Sequence, residues 1–261
     1  MRFAISTLAA AILGLSACGP SAYDYSKGLP DNAIEELIDA SYHGNLDKVN
    51  ALVDAGVDVN GQDEHQMAAL IWATRRYQAD VVKALLAAGA DPNTKRRKNI
   101  TVLMDAAFYS NVEVLKLLID AGAQLNAQSE TGGNALKSAV DKGRLDMVKA
   151  LITAGADVDI KNEGAYTPLY KALAERYQEI AIVLVEAGAE LDTRHGNRTT
   201  PLIQAVHFGL FDATKALVEA GADLTVKDKS GKTPLDWAIS SKRAEIAEYL
   251  VRKSAKKSEE L

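Results

Sequence analysis

A step of 33 residues governs this chain. Glycines recur at Gly56, Gly89, Gly122, Gly155, Gly188 and Gly221. In a second frame of the same step stand Leu37, Leu70, Leu103, Leu136, Leu169, Leu202 and Leu235, each followed three residues later by an alanine, from Ala40 to Ala238. A third column runs Leu52, Leu85, Leu118, Leu151, Leu184, Leu217 and Leu250. A period between 20 and 50 residues marks a solenoid, in which no unit buries its apolar face alone and stacked neighbours share one continuous core. The 261 residues therefore need not be divided into ordinary domains.

Within a unit, the leucine and the alanine three residues on share one face of a helix. A second run, such as Val148, Leu151 and Ile152, carries the i, i+3, i+4 stripe of another buried helix. Pro168, Pro201 and Pro234 suit the first turn of a helix, each with a threonine before it as N-cap. The recurring glycine suits the left-handed residue that ends the second helix. Acids at Asp47, Asp80, Glu113, Asp146, Glu179, Asp212 and Glu245 fall in the first turn of that helix. There they meet the positive end of its dipole, so they read as structural, not as a catalytic or metal ladder. Apolar content of 48% with only 6% aromatic residues suits close helix packing. Helices this short are marginal alone, so stacking must stabilise them.

Thr167-Pro168-Leu169, Thr200-Pro201-Leu202, Thr233-Pro234-Leu235 and Gly155-Ala156-Asp157-Val158-Asp159 resemble the ankyrin repeat. The histidine of that repeat is replaced throughout, by Ile38, Ile71, Met104, Lys137, Tyr170, Ile203 and Asp236. Its interhelical glycine is kept at Gly44, Gly143 and Gly209 and becomes Tyr77, Ser110, Arg176 and Lys242 elsewhere. The resemblance implies an all-α ankyrin-repeat solenoid of seven helix-turn-helix repeats with short hairpin fingers, spanning residues 31–253. The repeats run about 32–64, 65–97, 98–130, 131–163, 164–196, 197–229 and 230–253. A polar tail, 254–261, is expected to be disordered.

Residues 1–17 carry Arg2 and then an apolar run from Phe3 to Leu15, which fits a signal peptide and is too short to span a bilayer. Leu15-Ser16-Ala17-Cys18 resembles the lipobox of bacterial lipoproteins, which implies a lipidated Cys18 as mature N-terminus. Gly19 after it implies the outer membrane, with the protein facing the periplasm; an ordinary cleaved signal with an incidental cysteine is the plainer alternative. Several acyl chains anchor stably where one does not. Residues 18–30 read as a flexible tether, with an ordered cap built on Tyr23 and Tyr25 as the alternative.

Nothing in the chain assembles a catalytic set. The four histidines are scattered, one cysteine allows no internal disulfide, and neither a metal nor a cofactor is expected. A net charge of −5 argues against general nucleic-acid binding. What remains is surface. In the family the hairpin tips and the ends of the first helices line a concave face that binds other proteins. Carried over by frame, that face comprises Tyr42, His43, His65, Met67, Arg75, Arg76, Arg97, Lys98, Ile100, Phe108, Tyr109, Lys142, Tyr166, His207 and Phe208. Tyr, Phe and Arg dominate binding hot spots. Lys95-Arg96-Arg97-Lys98 beside Arg75-Arg76 forms a basic patch for an acidic protein partner, with a lipid headgroup or mere solvation as alternatives.

These features together describe a noncatalytic protein-binding lipoprotein, a monomer when unbound. Ankyrin-repeat lipoproteins to which it is similar include immunity proteins against phospholipase toxins delivered by type VI secretion. A toxin bound on the concave face is one expectation; a periplasmic scaffold for an endogenous enzyme, such as an antioxidant enzyme, is the other.

Overall fold

The computed structural model describes residues 23–161 and 166–259. Cys18 and the expected signal segment 1–17 lie outside them. Among the described residues the 33-residue step resolves into paired helices. The pairs are α1 (Ala33–His43) with α2 (Leu46–Asp54), α3 (Ala69–Arg75) with α4 (Ala79–Ala87), and α5 (Val102–Tyr109) with α6 (Val112–Asp120). They continue as α7 (Ala135–Asp141) with α8 (Leu145–Thr153), α9 (Pro168–Ala174) with α10 (Gln178–Glu186), and α11 (Pro201–Phe208) with α12 (Phe211–Glu219). The last pair is α13 (Pro234–Ser240) with α14 (Ala244–Glu259).

Local chemistry starts and stops these helices. Thr167, Thr200 and Thr233 cap α9, α11 and α13 by accepting from the N–H groups of Tyr170, Ile203 and Asp236. At α13 Asp236 returns a bond to the Thr233 N–H, completing a capping box. Each second helix before the last ends on a glycine with φ between 87° and 100°. The column of acids lies in the first turns of α2, α4, α6, α8, α10, α12 and α14. The turn between paired helices uses a left-handed residue in six of the seven units, supplied at Gly44, Gly143 and Gly209 by glycine, while Ser110 in the third unit is extended (φ −91°). Tyr77 (φ 63°), Arg176 (φ 62°) and Lys242 (φ 56°) adopt the left-handed conformation at a steric cost. Lys242 follows the last first-helix and no further unit packs against it. Lys242→Gly is therefore expected to raise the unfolding free energy by about 1 kcal/mol, read by urea titration.

The apolar columns form the core. Leu37 to Leu202 in the first frame are at most 1% exposed, and Leu52 to Leu217 in the third are fully buried. First helices pack on first helices and second on second, in chain order. The first-helix row is the more closely packed at most joints.

A hydrogen-bonded ladder joins consecutive loops. Asn60 accepts from Asp91 N–H (2.8 Å) and donates to Gly89 O (3.2 Å). Asn93 accepts from Gln124 N–H (2.8 Å) and donates to Gly122 O (3.4 Å). Asn126, Asp159 and Asp192 accept from the N–H groups of Asp157, Glu190 and Asp223. These side chains recur at the repeat spacing, and each closes the joint to the following unit.

Two end features differ from expectation. Residues 23–30 are not a free tether, because the first unit offers partners: Tyr25 Oη donates to Glu36 (2.9 Å) and Tyr23 Oη accepts from Asn45 (2.8 Å). Burial and the Glu36 carboxylate push the Tyr25 hydroxyl up to about 12. Nor does the helix stop at Lys253: α14 runs to Glu259, since its polar tail is rich in Ala, Lys and Glu and holds no glycine or proline. The final unit is also incompletely capped. Ile239 and Val251 are 64% and 52% exposed, whereas Ile239's frame partners Thr74, Ala107, Val140, Leu173 and Val206, each covered by a following unit, are fully buried.

Candidate functional site

The C-terminal ends of the first helices lie side by side because those helices stack in register. Tyr42 and His43 close α1, with ring centroids 4.9 Å apart, and Tyr42 meets Trp72 of α3 edge-on at 5.2 Å. Arg75 lies over Trp72 (5.3 Å) and over Tyr109 of the next unit (4.5 Å); Arg76 lies over Tyr42 (4.6 Å). Phe108 packs on Tyr109 at 4.5 Å, and Lys142 sits 4.0 Å from the Phe108 ring. Ring pairs and cations thus run from the first unit to the fourth without a break. A shorter run, Arg176, Phe208, His207, Trp237 and Lys232, continues the surface over the last three units. Each cation–π contact is worth about 0.5–1 kcal/mol at such exposure, against about 2 kcal/mol of rotamer entropy in an Arg or Lys side chain, so it biases the side chain toward one geometry without fixing it.

Several other expected positions lie apart from this strip. His65 and Lys98 are exposed on fingers, and Ile100 is half-buried in a short strand pair, β1 (Lys95–Arg96) with β2 (Ile100–Thr101). Arg97 is also exposed, and it donates to Glu64 O at 3.2 Å. Met67 is buried, 6% exposed, because the residue after it enters an extended pair with Gln62 and draws the side chain into the core. It is core rather than contact surface. The basic patch is also smaller than its sequence. Arg96 turns inward, its Nε and Nη2 donating at 2.8 and 2.9 Å to the two oxygens of Asp105, which is 2% exposed. Trp72 and Trp237 were absent from the expected face. Each stands three residues before a position in the helix-end pairs, a spacing that places it on the same helix face.

Tyr166 stacks on Tyr170 (5.1 Å) and on His195 (5.5 Å), beside a cleft of about 390 Å³ between α7 and α9. Charges here are matched: Lys137 pairs with Asp141, and Lys171 with Glu175 at 2.6 Å. His195 is 4% exposed, and its Nε2 and the Gln204 Oε1 have no hydrogen-bond partner among the described residues. In two other units the same nine-residue offset carries a bond, Arg96 to Asp105 and Trp237 Nε1 to Asp228 (2.9 Å). Burial first, and then the Lys161 charge, hold the His195 imidazole below its ordinary value of 6.5. The folded chain therefore binds this proton less readily than the unfolded chain. Its contribution to stability is complete above 6.5 and declines as pH falls through that value toward the depressed folded one. Urea midpoints are expected to fall from pH 7.5 to 5, and His195→Gln is expected to flatten that part of the slope.

No described helix is long and apolar enough to cross a membrane. No group of three metal-ligating side chains occurs among the described residues. A family model described as "Ankyrin repeats (3 copies)" matches residues 37–129, 103–195 and 190–260. Among solved structures, the crystal structure of the ankyrin repeat domain of Bcl-3, "a unique member of the IkappaB protein family", superposes with a TM-score of 0.73. The match has 26% sequence identity and covers 83% of this chain and 97% of that one. No curated protein matches the chain.

Proposed function

We propose, from the premise that this chain belongs to the ankyrin-repeat family, that it is a noncatalytic protein-binding lipoprotein of the bacterial envelope. Ankyrin repeats are protein–protein interaction modules, and on this reading the module faces the periplasm from a lipid anchor at Cys18 in the outer membrane. Its partner is an envelope-active toxin of the phospholipase type, whose active site it covers. The observation that carries protein binding is the unbroken strip of rings and cations across four units. Preorganised aromatic and arginine side chains lose little entropy on docking, and they are the types that dominate hot spots. The lipobox resemblance at Leu15–Cys18 supports the address.

Deleting the gene and challenging cells with toxin-armed siblings is expected to lower survival. The intact gene is expected to restore it, and Cys18→Ser is expected to shift the protein out of the membrane fraction. Unchanged survival removes the inhibitor reading. Capture of one endogenous enzyme from unstressed single-strain cultures replaces it with the periplasmic scaffold.

A further inference from the structure

The strip has a chemical polarity that its fold does not require. Arg75, Arg76 and Lys142 form no ion pair among the described residues. Two carboxylates of these units are engaged elsewhere, Asp105 by Arg96 and Asp141 by Lys137, while Asp39 stays 65% exposed beside His43. Further along, the cations beside the cleft are matched one for one, as at Lys171 and Glu175. A chain with net charge −5 thus presents unneutralised cations along its first four units.

A guanidinium stacked on a ring uses its face and leaves its N–H edge free. That edge matches a carboxylate in a two-bond fork. Trp72 and Tyr109 both bear on Arg75, and Tyr42 bears on Arg76, so less of either side chain's freedom is left to lose when a ligand arrives. Lys142, held over Phe108, adds a point charge one unit further on. We propose that Arg75, Arg76 and Lys142 form a carboxylate-binding strip that takes an acidic segment of the protein partner, laid across the ends of α1, α3, α5 and α7. This rests on the protein-binding reading above and specifies its ligand. The finger cluster is not the site: Arg96 is committed to Asp105, and Lys95, Arg97 and Lys98 lie over no ring among the described residues.

The probe is a short fluorophore-labelled peptide of alternating Glu and Gly, titrated into the intact protein and followed by anisotropy. Comparators are a Gln–Gly peptide, a Lys–Gly peptide and phosphatidylcholine vesicles containing phosphatidylglycerol. Binding of the acidic peptide alone is expected, weakening as salt rises. Replacing Arg75 and Arg76 by Gln is expected to cost roughly tenfold each, with helical circular dichroism unchanged. Arg75→Lys keeps the charge and loses the fork, so an intermediate loss is expected. Equal binding of the Gln–Gly peptide, or full binding by Arg75→Gln/Arg76→Gln/Lys142→Gln, overturns the proposal. Binding to the anionic vesicles without binding to the acidic peptide also overturns it and gives the strip to lipid. None of these failures touches the broader reading, which falls only if a photo-crosslinker at Tyr109 captures no protein in toxin-challenged cells.

Discussion

Arg96→Ala is expected to lower the unfolding free energy by about 3–5 kcal/mol, which urea denaturation followed by circular dichroism will read. The loss is large because the partner left behind is Asp105, 2% exposed, with both oxygens bound by the one guanidinium. Removing Arg96 strands a buried charge. Replacing both residues at once by apolar ones of similar volume is expected to recover much of the loss, since the pair's desolvation cost disappears with it. An Arg96→Met/Asp105→Leu protein as unstable as Arg96→Ala would show that the contact does more than cancel charge. Hydrogen exchange will place the damage: the finger of the third unit and α5 are expected to lose protection first, because Arg96 fastens one to the other.

Leu136→Ala is expected to cost about 2–5 kcal/mol, and Leu235→Ala distinctly less. Both stand in the same frame of the repeat, yet Leu136 is fully buried in the middle of the stack and Leu235 is half-buried at its end. A central cavity weakens the joints on both sides of its unit, whereas the terminal one has a single joint to weaken. Equal losses at the two sites would mean that the units do not share their core as the packing of α5, α7 and α9 implies.

The frame of the fold was legible because the repeat writes the same burial seven times over. Columns such as Leu52 to Leu250 identify the core without knowledge of any contact. The candidate strip was legible in part, for the same reason: Tyr42, Arg75 and Phe108 occupy equivalent positions, His43, Arg76 and Tyr109 follow them, and stacking in register brings these pairs together. What escaped were features that break the frame. Arg96 reads as one cation among four until α5 is seen to carry Asp105 beneath it. Met67 reads as a finger residue until the chain is seen to turn its side chain inward. The polar run after Lys253 suggested disorder by composition, although Ala, Lys and Glu are good helix formers with a helix already under way. Tyr23 and Tyr25 found partners on α1 and at the start of α2, which no local pattern announces. The asparagine and aspartate ladder was in plain view as a column, but its meaning lies between units and periodicity alone does not give it.

That ladder is not uniform, and its gradient gives the molecule a mechanical direction. Asn60 and Asn93 each clasp the following loop twice, by carbonyl and by amide, whereas Asp159 and Asp192 have no amide to donate and clasp it once. The later joints thus lack one hydrogen bond that the first two possess, and pulling on both extremities is expected to open one of them before those two. The part of the strip that crosses the first two joints, from Tyr42 to Tyr109, would then keep its shape longest under load.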